Sequence, residues 1–149
     1  MIITEYLKKE AVLPHLQAIT RKDVMAEMVL PLIHLQPILA NYDVVSALCE
    51  REGLGTTAVG EGVAIPHCKV PVASNLTLAV GKSTVGVDFD APDKELCHIF
   101  FLILAPENMA GQHLRLLAHI ARRVKDSVFR SEILLSQSRE QMWQTVIAP

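Results

Sequence analysis

The stretch Cys97-His-Ile-Phe-Phe-Leu-Ile-Leu104 is apolar along almost its whole length. A run this apolar predicts a strand that is covered on both faces and lies at the centre of a sheet. Further strands are predicted upstream at Leu76–Val80 and at Val59–Pro66, the second of which carries glycines and stops at Pro66. Between the strands, Gly86-Val-Asp-Phe-Asp-Ala-Pro92 predicts a connecting loop.

Helical patterns lie on both sides of this strand region. From Gly111 onward the apolar period is helical, and His113, Leu117, Ile120 and Val124 share one face. A first helix is predicted from a Thr20 cap toward Ile33, and Pro31 should kink or end it. A second is predicted from an Asn41 cap through Val44, Val45 and Leu48 to Gly53. Two more are predicted near the C-terminus, one around Asp126–Leu135 and one from a Ser138–Gln141 capping box to Ile147.

This alternation of helices and strands predicts the α/β class, with a small mixed β-sheet flanked by helices. Half of the 149 residues are hydrophobic, which is enough for a sizeable core. No repeat, low-complexity tract or long linker divides the chain. Residues 1–149 are therefore expected to form a single domain.

Composition argues against several classes of protein. Fourteen basic and sixteen acidic residues give a formal charge of -2, which does not favour binding to nucleic acid. The N-terminus lacks a signal-peptide pattern, and the longest apolar run, Ile99–Ala105, is too short to insert into a bilayer. Three unpatterned cysteines do not predict a disulfide framework. The expected location is the cytoplasm.

The segment from Arg51 to His67 carries the first candidate for chemistry. Four glycines between Gly53 and Gly62 permit close approach by a ligand. His67 directly follows a proline at the end of a predicted strand, where catalytic side chains often reach the rim of a sheet. A surface histidine in an ordinary turn fits the pattern equally well.

His113 is the second candidate. It lies in the first turn of a predicted helix and on its apolar face, so the side chain is expected to point inward. The free N–H groups and positive dipole at a helix N-terminus suit a bound phosphate. The alternative is a histidine that is hydrogen-bonded within the core. His119 falls on another face and is expected at the surface.

Other motifs fail on their context. Gly53-Leu-Gly55-Thr-Thr-Ala58 matches G-x-G-x-x-A, but a dinucleotide site needs a strand before it and a helix after it, and the order here is reversed. No Gly-Lys-Ser/Thr of a P-loop occurs. In the pairs His67-Cys68 and Cys97-His98, neighbouring side chains of an extended chain point apart, which disfavours metal binding. Cys68 is expected to be a small packed residue. We expect neither a metal nor an organic cofactor.

A longer pattern now becomes informative. This pattern consists of Glu52, a six-residue spacer and Val59-Gly60-x-x-Val63-Ala64-Ile65-Pro66-His67-Cys68. It resembles the signature of enzyme IIA of the fructose/mannitol type (type 2), a family of the bacterial phosphoenolpyruvate-dependent phosphotransferase system. The resemblance covers most of the chain and also includes Arg51-Glu-x-Leu-Gly-Thr-Thr, Gly86-Val-Asp-Phe-Asp-Ala-Pro92, Leu104-Ala-Pro-Glu and His113-Leu-x-x-Leu-Ala-x-Ile-Ala-Arg122. Ala58 and Cys68 stand where glycine is common in that family.

The resemblance implies a phosphotransferase component that works by protein-to-protein phosphoryl transfer. His67 would be phosphorylated on its tele nitrogen, with His113 as its neighbour and Arg51 holding the phosphoryl group. The hydroxyls of Thr56 and Thr57 are expected to bind phosphoryl oxygens. The donor would be a phosphohistidine on a small histidine phosphocarrier protein, and the chemistry requires no cofactor.

The chain is most similar to the nitrogen-regulatory branch of this family, whose members regulate partner proteins, such as kinases or ion transporters. Two alternatives remain open. One is a sugar-specific enzyme IIA that passes phosphate to a fructose- or mannitol-type transporter component. The other is a non-catalytic sensor or interaction domain.

Overall fold

A computed structural model describes all of residues 1–149 as five α-helices and one six-stranded sheet. The strands are β1 (Leu7–Leu13), β2 (Ala58–Gly60), β3 (Val63–Ala64), β4 (His67–Lys69), β5 (Thr77–Val87) and β6 (Cys97–Ala105). The helices are α1 (Arg21–Leu35), α2 (Val44–Leu54), α3 (Ala110–Arg123), α4 (Ser127–Leu135) and α5 (Arg139–Ile147). None of the helices has both the length and the apolar character needed to cross a membrane.

The predicted central strand is at the centre of the sheet. The strand order is β1-β5-β6-β3-β2. Strand β4 also pairs with β6, at residues of β6 that follow those paired with β3. Strand β6 runs antiparallel to β5 and parallel to β3 and β4, so the sheet is mixed. Except for half-buried His98, every side chain of β6 is buried, which explains its nearly continuous apolar sequence.

Helices cover both faces of this sheet. Phe100 and Phe101 are consecutive on β6, so their side chains point to opposite faces. Phe101 stacks on Phe129 of α4 with ring centroids 6.3 Å apart. Phe100 packs on Phe89 with ring centroids 5.2 Å apart. The guanidinium carbon of Arg21 in α1 lies 5.8 Å from the ring centroid of Phe89. The predicted α/β class, with helices flanking a small mixed sheet, is confirmed.

The prediction of a single strand over Val59–Pro66 is wrong. The chain instead forms a tight antiparallel hairpin of β2 and β3, and then the separate strand β4 begins at His67. The turn holds Glu61 at φ 57° and Gly62 at φ +75°, in the left-handed region that glycine adopts without strain. His67 is therefore the first residue of a short strand and not the residue after a long one.

The helix ends also differ in part from the prediction. The caps at Thr20 and Ser138 are confirmed, since their hydroxyls accept the N–H groups of Asp23 and Gln141. Pro31 does not end α1, which continues to Leu35 because the buried side chain of Leu32 holds the last turn in the core.

In the second helix, Asp43, not Asn41, caps the N-terminus, because a 3₁₀ turn occupies Pro37–Asn41. The helix then passes Gly53 and ends at Leu54. Strand β1 was not predicted. Its central residues are charged and exposed because it pairs with the sheet only through β5, at the sheet's edge.

Candidate functional site

Two predicted site histidines meet at one end of the sheet. His67 begins β4, which pairs with the last residues of β6, so that His67 lies opposite Ile103. Helix α3 follows closely after β6 and carries His113 in its first turn. The imidazole centroids are 5.5 Å apart, and the ring planes are inclined at 76°. The parallel pairing of β4 with β6 thus brings together two residues that are far apart in sequence.

The ring of His67 is held in one orientation by a main-chain contact. Its Nδ1 lies 2.7 Å from the carbonyl oxygen of Ile65. A carbonyl oxygen can only accept, so Nδ1 carries the hydrogen. In the neutral ring this leaves the lone pair on Nε2, the tele nitrogen.

The surroundings of His67 keep the ring neutral. Burial lowers its pKa below the ordinary 6.5, and the positive charge of Arg51 adds to this effect. The hydrogen bond to Ile65 and the negative charge of Glu52 oppose it without reversing it. At neutral pH, His67 therefore presents an unprotonated Nε2, which is the nucleophilic form of imidazole.

His113 is more strongly desolvated. Its side chain is only 8% exposed, and burial, followed by the nearby His67 and Lys69, lowers its pKa to about 4. Its Nε2 is buried and has no hydrogen-bond partner within the protein. A buried polar atom without a partner costs stability, so this nitrogen is available to bind a group that enters the site.

Arg51 supplies the positive charge. It lies in the last turn of α2, and one of its N–H groups donates to the carbonyl of Gly55 at 2.9 Å. This is the single hydrogen bond of its side chain, so most of the five N–H donors of the guanidinium are free for an anion. The positive charge of Arg51 lowers the pKa of His67.

The predicted phosphate ligands Thr56 and Thr57 have other partners in the structure. The hydroxyl of Thr57 is buried and donates to the Glu52 carboxylate. The hydroxyl of Thr56 donates to the carbonyl of Phe89 and accepts the N–H of Ala58. Both hydroxyls therefore brace the loop between α2 and β2. A phosphate-binding role for them stays a prediction, and it would require these hydrogen bonds to break.

Sequence reasoning missed two contributors to the site. The Ile65 carbonyl, which orients His67, is a main-chain group and gives no signal in the sequence. Lys69 acts on His113 only through the fold. Cys68, beside His67, is buried as predicted, and burial raises the pKa of its thiol to about 12, so the group is an uncharged packed side chain. No group of three or more His, Cys, Asp or Glu side chains is placed to hold a metal ion.

Comparison with known proteins matches nearly the whole chain to one protein family and to members of it. The family model described as "Phosphoenolpyruvate-dependent sugar phosphotransferase system, EIIA 2" matches residues 5–148. A nitrogen regulatory protein of Bradyrhizobium diazoefficiens is 34% identical over 151 aligned positions, which cover 100% of this chain and 97% of that protein. A fructose-specific EIIA component of Haloferax volcanii is 38% identical over 102 positions, covering 68% of this chain and 66% of that protein.

Among solved structures, the nitrogen regulatory protein IIA-Ntr of Neisseria meningitidis superposes with a TM-score of 0.87. It is 29% identical, and the alignment covers 98% of this chain and 99% of that one. The similarity extends over the whole mixed sheet and its flanking helices.

Proposed function

This chain belongs to the EIIA type 2 family of the phosphoenolpyruvate-dependent sugar phosphotransferase system, and from that membership we propose that it is a phosphocarrier that accepts a phosphoryl group on Nε2 of His67. Members of the family are phosphotransferase components. The observation that supports the proposal best is the contact between Nδ1 of His67 and the carbonyl of Ile65, because it leaves Nε2 as the reactive nitrogen.

The proposed reaction exchanges one nitrogen–phosphorus bond for another. The lone pair on Nε2 of His67 attacks the phosphorus of a phosphohistidine on a carrier protein. As this bond forms, the bond to the donor imidazole breaks, and the donor nitrogen keeps the electron pair. Nδ1 of the phosphorylated ring keeps its hydrogen and continues to donate it to the carbonyl of Ile65. Bond and charge balance are met without a cofactor.

The remaining groups hold the phosphoryl oxygens. Phosphoryl transfer passes through a loose transition state, so the protein contributes mainly position and charge. In the proposal, Arg51 offers its free N–H groups to these oxygens, and the partnerless Nε2 of His113 donates a further hydrogen bond. Both act as auxiliary groups beside the acceptor.

The proposal is tested by incubating the chain with phosphoenolpyruvate, the purified histidine phosphocarrier protein and the purified enzyme that phosphorylates this carrier; the last two are called the relay proteins below. Intact mass should rise by one phosphoryl group, and fragmentation should locate the group on His67. The adduct should be labile in acid and stable in alkali, as a phosphoramidate is. An acid-stable adduct, or one located on another residue, would refute the assignment.

We further propose that the chain acts in the cytoplasm as a regulator of other proteins. Support comes from its similarity to nitrogen regulatory proteins over nearly their full length. A phosphoryl group on His67 adds almost two negative charges to the surface, enough to favour or oppose the docking of a charged partner such as a kinase or an ion transporter. Pull-downs with the phosphorylated and unphosphorylated chain should then recover different partners.

The similarity to the fructose-specific component of Haloferax volcanii favours a second candidate function. A sugar-specific EIIA would use the same chemistry but would pass the phosphoryl group to a transporter component. Loss of the phosphoryl group from His67 to such a component, with no other phosphorylation-dependent partner, would establish this second function.

A further inference from the structure

Glu52 is an acidic residue in an unusual place. It lies in the last turn of α2 and is only 5% exposed. Its carboxylate accepts two hydrogen bonds from one residue, namely the N–H of Thr57 at 3.1 Å and the hydroxyl of the same Thr57. Acidic side chains are rarely this buried unless they have a specific partner. Its partner Thr57 lies in the loop that follows α2.

A continuous line of hydrogen bonds leads from Glu52 to His67. The carboxylate fixes Thr57, and the carbonyl of Thr57 accepts the N–H of Ile65 at 3.0 Å. The carbonyl of Ile65 in turn accepts Nδ1–H of His67 at 2.7 Å. Every link donates in the same direction, from the imidazole toward the carboxylate. Within Thr57 and within Ile65, the N–H and the C=O belong to successive peptide groups, so this line acts by holding the backbone of both residues in place.

We propose that Glu52 is a positioning residue for His67, which it orients through the peptide groups of Thr57 and Ile65. The inference rests on the proposed function, in which Nε2 of His67 is the phosphoryl acceptor. By anchoring Thr57, Glu52 holds the carbonyl of Ile65 in line with Nδ1–H. The ring then stays in the tautomer that carries its lone pair on Nε2.

The charges around Glu52 leave it free for this task. The Arg21 guanidinium is its only ion-pair partner, and their nearest atoms are 3.9 Å apart, at the outer limit for such a pair. The Arg51 side chain turns instead to the carbonyl of Gly55. The strong partners of Glu52 are thus the two donors of Thr57.

Two glutamates of the same helix provide a matched test. Glu52→Gln keeps the size of the side chain but removes the charge and one of the two acceptor oxygens. Glu50→Gln removes the same charge from an exposed position two residues earlier. Long-range nitrogen–proton correlation spectra report the tautomer of His67 in the unphosphorylated protein, and quenched-flow mass analysis reports the rate of phosphorylation by the phosphocarrier donor.

We expect Glu52→Gln to show a mixture of the two tautomers and to accept the phosphoryl group about tenfold more slowly, as when a residue that orients a functional histidine is removed. Glu50→Gln should match the wild type in both. The proposal is overturned if folded Glu52→Gln keeps the wild-type tautomer and rate, or if both variants change equally, since charge alone would then explain the effect.

A second variant covers the case in which Glu52→Gln does not fold. Thr57→Val removes one of the two hydrogen bonds to Glu52 and keeps the side chain's shape. It should shift the tautomer in the same direction by a smaller amount, and an unchanged tautomer with an unchanged rate overturns the proposal. If the wild type accepts no phosphoryl group, the proposed function fails, whereas the tautomer comparison still decides the role of Glu52.

Discussion

Two histidine–cysteine pairs lie on neighbouring strands of this sheet and differ in what surrounds them. His67-Cys68 begins β4, and Cys97-His98 begins β6. Both histidines are half-buried, and each has Nδ1 against a main-chain carbonyl, that of Ile65 at 2.7 Å and that of Ser83 at 2.9 Å. Both cysteines are buried, and burial raises the pKa of each thiol to about 12.

The difference lies at the other ring nitrogen. The ring of His98 packs against Gly86, at φ +87°, and a Cβ there would come within 3.0 Å of Nε2. The ring of His67 faces His113 and is influenced by the charge of Arg51. Identical residue pairs with similar hydrogen bonds thus serve packing in one place and form a candidate reaction centre in the other. A nucleophile needs neighbours that receive its substrate as well as the correct tautomer.

Replacing each histidine in turn tests the difference between them most directly. His67→Gln should lose all phosphorylation, because no other residue combines a free Nε2 with Arg51 and His113. His98→Gln should gain one phosphoryl group like the wild type. Intact mass after incubation with the relay proteins measures both. If His67→Gln still gains the phosphoryl mass, His67 is not the acceptor and the proposed difference between the two histidines is wrong.

A smaller effect is expected when the acceptor is kept and its neighbours are removed. Arg51→Ala and His113→Ala each take away a donor to the phosphoryl oxygens, so transfer should slow by about tenfold to a thousandfold. Arg122→Ala, an exposed arginine in the last turn of α3, is the control for loss of one charge and should transfer at the wild-type rate. Rates are measured by quenched-flow mass analysis. Near-normal rates in both site variants would contradict the proposed geometry.

The smallest expected effect concerns stability against acid. The pKa of His113 is about 4 in the folded chain and 6.5 as the ordinary value. The unfolded chain therefore binds more protons between these values, and stability falls as the pH drops through this window. From pH 7 to pH 5 this group should cost about 2 kcal/mol of unfolding free energy.

Urea unfolding at the two pH values measures this loss, and His113→Gln should lose correspondingly less stability than the wild type. Equal losses in the two proteins would mean that His113 is not desolvated as the structure shows. The test would then separate a buried site histidine from a hydrated one.

The sequence predicted those parts of the fold that local patterns encode. The apolar run of β6, the amphipathic period of α3 and the caps at Thr20 and Ser138 are each properties of a few neighbouring residues, and the structure confirms them. The short strands β3 and β4 could not be predicted in this way. Strands of two or three residues are defined by their partner, which is β6 in both cases.

The candidate site divides in the same way. His67 and His113 could be selected from the sequence, because their residue types, the preceding proline and the resemblance to a known family all point to them. Only the fold shows that the hydroxyls of Thr56 and Thr57 face the loop and that Glu52 is buried beneath it. A residue's type and spacing do not reveal which of several possible hydrogen-bond partners it takes.

The sequence by itself therefore determined which groups could carry chemistry, since imidazole and guanidinium have that capacity in any fold. The tertiary structure decided which nitrogen of His67 is free, because the tautomer depends on the carbonyl of Ile65. It also decided that His113 is neutral and lacks a partner at Nε2, because desolvation arises only when β4, β6 and α3 pack together. The reactivity proposed for His67 depends on solvent exclusion and hydrogen-bond direction, and both are properties of the folded molecule.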